Sequence, residues 1–128
     1  MRILLIGATG QIGYSLAKAL SQTTHHITVL VRDRTKCLLP ETVRVLESRA
    51  LDPQAFRRAM SDIDHVIYSV GLPEQYMPDT SVFERINLGL FRVFLAEMAH
   101  SGPPNLTYIV GVGIWAYPNK TDNGPSAD

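Results

Sequence analysis

The chain has 128 residues, 45% of them hydrophobic and 19% charged, with 12 basic side chains balanced by 12 acidic ones. That length suits one domain with a single sizeable core, and a neutral chain without basic clusters offers little to nucleic acid or to an anionic membrane surface. Cys37 is the only cysteine, which excludes an intramolecular disulfide framework and a multi-cysteine metal site, and no apolar run approaches transmembrane length.

In chain order, Arg2 to Ile6 reads as a strand that runs into three glycines spaced three apart, Gly7, Gly10 and Gly13. Gly7 can take the positive-φ turn that leaves a strand, and Gly10 lets the backbone approach an anion. Gly13 lets the next helix pack closely on a sheet. That helix is expected to run about three turns, with Ile12, Leu16 and Leu20 as its apolar stripe and Ala17 and Ala19 between them. Ile27 to Val31 is a β-branched run of strand length, ended by the charged stretch Arg32 to Lys36. Val43 to Leu46 reads as a third strand. Asp52-Pro53 then makes a helix start, with Asp52 as N-cap and Pro53 at the first helical position. Ala55, Phe56, Ala59 and Met60 supply the inner face of this helix.

Val66 to Val70 is a fourth strand closed by Gly71, and a loop rich in proline and acid follows from Pro73 to Asp79. Phe83, Ile86, Leu90, Val93 and Phe94 mark a long amphipathic helix, stopped at Ser101-Gly102-Pro103-Pro104, and Leu106 to Val110 is a fifth strand. Strands that alternate with helical patterns argue for an α/β fold, a doubly wound parallel sheet with helices on both faces. Ligands of such sheets sit at the carboxyl ends of the strands where strand order reverses, here between strands one and four. The free N–H groups and partial positive charge at the first helix's start suit a pyrophosphate.

The stretch Gly7-Ala8-Thr9-Gly10-Gln11-Ile12-Gly13 resembles the cofactor loop of the short-chain dehydrogenase/reductase superfamily. The extended branch (epimerases, dehydratases and reductases) and the atypical, partly non-catalytic branch fit best. The likeness runs along the whole chain, through Leu30-Val31-Arg32, Asp64 to Gly71, Asn87-Leu88-Gly89 and Tyr108 to Trp115. It implies a Rossmann-like sheet of about five strands in the order 3-2-1-4-5. It further implies that Gly7, Thr9, Gly10, Gln11, Ile12 and Gly13 hold a dinucleotide pyrophosphate. Ser69, Val70 and Gly71 would pass beside the ribose linked to nicotinamide, and Asn87 matches an asparagine that helps fix the long helix and its surroundings. An acid after strand three commonly reaches adenine in this family. Arg49 takes that place here, with Ala50 and Leu51 following as ring wall.

Arg32 stands where nicotinamide folds that prefer NAD place an acid for the ribose 2′-hydroxyl. A guanidinium there can pair with a 2′-phosphate through two hydrogen bonds, and Lys36 adds a second positive charge four residues on. The expected cofactor is therefore NADP(H) rather than NAD(H), with a solvated charged turn as the competing reading. Catalysis in the family uses a tyrosine with a lysine four residues later, plus a serine after strand five. Gly111 takes the serine position, and Trp115 stands where an aromatic, usually tyrosine, follows. Tyr14 and Lys18 have the right spacing but sit on the first helix, at the pyrophosphate end, and read as a decoy. No catalytic residue is therefore assigned.

The four histidines, His25-His26, His65 and His100, form no metal-binding pattern. Members of the family usually run to twice this length or more, so residues 1–128 are expected to be a cofactor-binding half that lacks the catalytic and substrate-binding part. The expected parent is an oxidoreductase or a nucleotide-sugar-type epimerase, dehydratase or reductase of unread substrate. The alternative is a non-catalytic dinucleotide sensor acting through a protein partner. With no signal-peptide pattern after Met1, a cytoplasmic location is the default. The edge of strand five and the Phe83–Phe94 helix are candidate surfaces for self-association.

Overall fold

The computed structural model describes residues 1–8, 10–70 and 88–109. Among them, five strands form one parallel sheet: β1 (Arg2–Ile6), β2 (His26–Val31), β3 (Arg44–Glu47), β4 (His65–Tyr68) and β5 (Asn105–Tyr108). Their order is β3-β2-β1-β4-β5, as expected. The described helices are α1 (Gln11–Leu20), α2 (Pro53–Ala59) and α3 (Leu90–Ser101), and a 3-10 turn spans Arg34–Lys36.

β1 is apolar on every residue after Arg2 because both of its faces are covered. Ile3 and Leu5 join Val29, Val31 and Ile67 on the side of α1, where Ala17 closes the packing. Leu4 and Ile6 join Leu30, Val66 and Tyr68 on the opposite side, against Phe56 of α2 and Phe94 of α3. The rings of Phe56 and Phe94 meet edge to face at 5.6 Å, a favoured aromatic geometry.

Asp52 caps α2 as expected: its carboxylate accepts from the Ala55 N–H at 2.9 Å, with Pro53 in the first turn. The inner face of α2 is the expected Ala55, Phe56, Ala59 and Met60, all buried. At its far end α3 stops at Gly102, whose N–H donates to the Met98 carbonyl at 2.9 Å. Phe83 and Ile86, expected in the earlier part of that helix, lie outside the described residues, as does Val110, expected in the fifth strand.

The structure corrects several boundaries. β3 begins at Arg44 because the Val43 N–H turns back to the Pro40 carbonyl at 3.0 Å. β2 and β4 each begin one residue early, and β4 ends at Tyr68 although the Ser69 N–H still donates to Ile6 at 2.8 Å. The stripe of α1 is only partly the expected one: Leu16 and Leu20 pack against the core, but Ile12 is 50% exposed, while Gly13 and Ala17 are buried. Close contact at Gly13 brings the small residues inward and turns Ile12 out.

Candidate functional site: the glycine turn and the strand ends

The carboxyl ends of β1 and β4 meet at Gly7. Its φ of +104° lies in the region that favours glycine. A Cβ there would stand 2.5 Å from the Ser69 carbonyl oxygen and 3.0 Å from the Val70 nitrogen. At Gly13 a Cβ would overlap the Gly7 carbonyl oxygen, so the first turn of α1 rests directly on the turn that leaves β1. Gly10 is different: its Cβ position is open apart from the Gly7 oxygen at 3.6 Å. Gly7 and Gly13 are thus required by packing, whereas Gly10 is exposed and keeps the mouth of the loop clear.

Gly10 is the N-cap of α1, extended at φ −79° and ψ 164°, and its carbonyl accepts from the Tyr14 N–H at 2.8 Å. Among the described residues no side chain caps this helix, and its first turn holds no acid. The opening N–H groups of a helix have no partner within it, and the helix dipole adds a partial positive charge at that end. Gln11 and Ile12 are exposed there. The turn therefore fits a pyrophosphate: a backbone-lined floor, an open glycine and an uncapped helix start.

Ser69 and Val70 lie against Gly7, so the structure brings them together with the glycine turn. Thr9, Gly71 and Asn87 lie outside the described residues, as do Gly111 and Trp115. Arg32, Lys36, Ala50 and Leu51 form a second group at the ends of β2 and β3. The Ser48 N–H extends that strand pair by donating to the Val31 carbonyl at 2.9 Å. The Ser48 hydroxyl then donates to the Ala50 carbonyl at 2.7 Å, shaping the exit from β3. Ala50 is exposed, while Leu51 is half-buried against the core under α2.

Sequence reasoning missed the residues that fix the β2 exit. Asp33 caps the 3-10 turn: its carboxylate accepts from the Thr35 N–H at 3.0 Å and from the Thr35 hydroxyl at 2.6 Å. These bonds hold the Asp33 carboxyl below its ordinary value, helped by the positive charges of Lys36 and Arg49. The signal was legible as Asp-x-Thr, a local capping pattern. The Arg34 N–H donates to the Glu47 carboxylate at 3.0 Å, and its guanidinium donates to the Val45 carbonyl at 2.6 Å. Tyr14 is also committed, donating to the Leu38 carbonyl at 3.0 Å and tying α1 to the segment after the turn. Cys37 is buried, and burial pushes its thiol up from the ordinary value.

A family model described as NAD(P)H-binding matches residues 7–114, which include the glycine turn, both strand-end groups and β5. The chain is 33% identical over 109 residues to 2'-dehydrokanamycin reductase of Streptomyces kanamyceticus, a match that covers 84% of this chain and 30% of the reductase. The chain thus spans less than a third of the length of that curated relative. Among solved structures, the oxidoreductase ylbE from Lactococcus lactis superposes with a TM-score of 0.71 at 19% identity, covering 91% of this chain and 56% of that one. A UDP-glucose 4-epimerase superposes with a TM-score of 0.71 at 16% identity, covering 84% of this chain and 35% of the epimerase. The turn at Gly7, the sheet order and the match over residues 7–114 agree, and the chain belongs to the NAD(P)H-binding family, with the Rossmann-type fold of short-chain dehydrogenases/reductases.

Proposed function

We propose that this chain is the NADP(H)-binding domain of a reductase. The observation that carries the NADP(H) reading is Arg32, exposed at the end of β2 where a nucleotide ribose would lie. Its neighbour Asp33, the nearest carboxylate to that place in sequence, is occupied by Thr35. A guanidinium with a free edge selects for a phosphate, and Lys36 adds charge on the same turn. The reductase relative supports redox chemistry for the parent protein.

Gly7, Gly10, Gly13 and the α1 start would hold the pyrophosphate, with Thr9, Gln11 and Ile12 in the same loop. Ser69, Val70, Gly71 and Asn87 would line the nicotinamide side, and Ala50 and Leu51 the adenine side. When bound, the nicotinamide supplies a hydride. Residues of this chain bind and orient the dinucleotide, and the backbone floor at Gly7 and Ser69 excludes water beneath it. The one tyrosine followed four residues later by lysine is Tyr14 with Lys18, and the Tyr14 hydroxyl already donates to Leu38. Tyr14 is therefore assigned no part in proton transfer to a substrate, and these residues alone are expected to turn over no substrate.

Titration calorimetry with NADPH and NADH tests the reading. Tighter binding of NADPH is expected; equal or tighter binding of NADH overturns it. Oxidation of NADPH by this chain with any carbonyl substrate overturns the lack of turnover. A second reading, a dinucleotide sensor that signals through a protein partner, rests on Gly111 in the place of a hydroxyl-bearing serine. A tyrosine with a lysine four residues later in the rest of the parent protein would argue against the sensor.

A further inference from the structure

The exits of β2 and β3 run side by side. The parallel register pairs Val31 with Glu47, and the Ser48 N–H donates to the Val31 carbonyl at 2.9 Å. Arg32 and Asp33 therefore leave the sheet beside Ser48 and Arg49. Local bonds use up part of the charge gathered there. Arg34 spends its guanidinium on the Val45 carbonyl, its N–H holds the Glu47 carboxylate, and Asp33 is held by Thr35. Arg32, Lys36 and Arg49 are exposed, and among the described residues none of their side chains donates a hydrogen bond or forms an ion pair. The group holds Arg32, Arg34, Lys36 and Arg49 against Asp33 and Glu47, a surplus of two positive charges. A phosphate monoester carries close to two negative charges near neutral pH.

We propose that Arg49 is the second guanidinium of the 2′-phosphate site, gripping the monoester from the β3 side while Arg32 grips it from the β2 side. This rests on the NADP(H) reading above and adds a specificity-determining residue to it. A guanidinium has five donors and no acceptor, so Arg49 cannot receive the adenine amino group, whereas it matches two phosphate oxygens at once. The two arginines follow adjacent strands whose exits are tied by the Ser48 and Arg34 bonds, so the backbone that carries them is already fixed and only the side chains have to be ordered on binding.

The test is the affinity of the whole chain for NADPH and for NADH, measured by calorimetry on the unmodified protein and on Arg49→Ala, Arg49→Lys and Arg32→Ala. Because Arg49 is exposed, its replacement is expected to leave the thermal transition unchanged. Arg49→Ala is expected to weaken NADPH binding about tenfold or more and to leave NADH within about twofold, the loss of one charge-assisted phosphate contact. Arg49→Lys should recover part of the loss. An equal weakening of both nucleotides assigns Arg49 to another part of the ligand, and no change in either assigns it to none; both overturn the proposal. If the unmodified chain shows no preference for NADPH, the underlying reading fails. If it prefers NADPH and loses that preference only in Arg32→Ala, the inference about Arg49 alone fails.

Discussion

Arg57 on α2 and Glu97 on α3 meet at 2.6 Å, and the carboxylate is buried between the two helices. Both oxygens of Glu97 accept from the one guanidinium, at 2.6 and 3.4 Å. Arg57 thus holds the Glu97 carboxyl below its ordinary value, the hydrogen bond contributing most and burial opposing it. A carboxylate with a depressed value in the folded state adds stability above its unfolded value and loses it as pH falls through the folded one. Glu97→Gln should therefore lower the denaturation midpoint at neutral pH and flatten the acid side of the stability profile. Unchanged stability from pH 7 down to acid in both proteins would show that the pair contributes nothing.

The α2 cap gives a cleaner magnitude. Asp52→Ala removes the bond to the Ala55 N–H and should cost about 1 kcal/mol in urea unfolding, with an unchanged m-value. Asp52→Asn should recover most of it. A full loss in Asp52→Asn would mean that charge at the helix start matters more than the hydrogen bond.

The glycines separate folding from binding. Gly10→Ala meets only ordinary contact, so it should keep its thermal transition and circular dichroism while dinucleotide affinity falls at least severalfold. Gly13→Ala drives a methyl into the Gly7 carbonyl and should destabilise the chain by about 1–3 kcal/mol or more. Equal thermal stability of the two variants would contradict the close approach of α1 to the β1 turn.

Tyr68 is 1% exposed, and among the described residues its hydroxyl has no hydrogen-bond partner. Burial pushes its phenol up from the ordinary value. Its ring lies 4.6 Å from that of Phe94 and 4.9 Å from that of Phe91. Tyr68→Phe should leave stability unchanged or raise it by up to about 1 kcal/mol, because a buried orphan hydroxyl costs free energy. Phe94→Ala should cost about 3–5 kcal/mol, since a large cavity opens in the same cluster. A comparable loss in Tyr68→Phe would reveal a partner for the hydroxyl.

What could be read from the sequence is what depends on local chemistry. The apolar run before Gly7, the Asp52-Pro53 start and the β-branched run at Ile27 to Val31 each state their own conformation, and the elements formed there. The outward position of Ile12 was illegible, because a row of every fourth residue drifts around the helix, and the close approach of Gly13 to Gly7 decides which part of that row meets the sheet. The clamp of Arg34 on Val45 and Glu47 was hidden for a related reason. Its partners lie 11 and 13 residues on, and nothing in a charged turn says which arginine folds back and which stays out. The site was legible where glycine geometry defines it, and less so where long side chains choose between protein and solvent.

The floor at Gly7 and Ser69 is main chain, whereas the exposed cations at the β2 and β3 exits are side chains. These two parts sit on different strand pairs, β1 with β4 and β2 with β3. If Arg32 and Arg49 hold a 2′-phosphate as proposed, substitutions there would change nucleotide preference without disturbing the glycine turn. On that reading the fold separates what must stay fixed from what can drift: cofactor choice would be open to a few surface substitutions, while Gly7 and Gly13 have no room for a side chain.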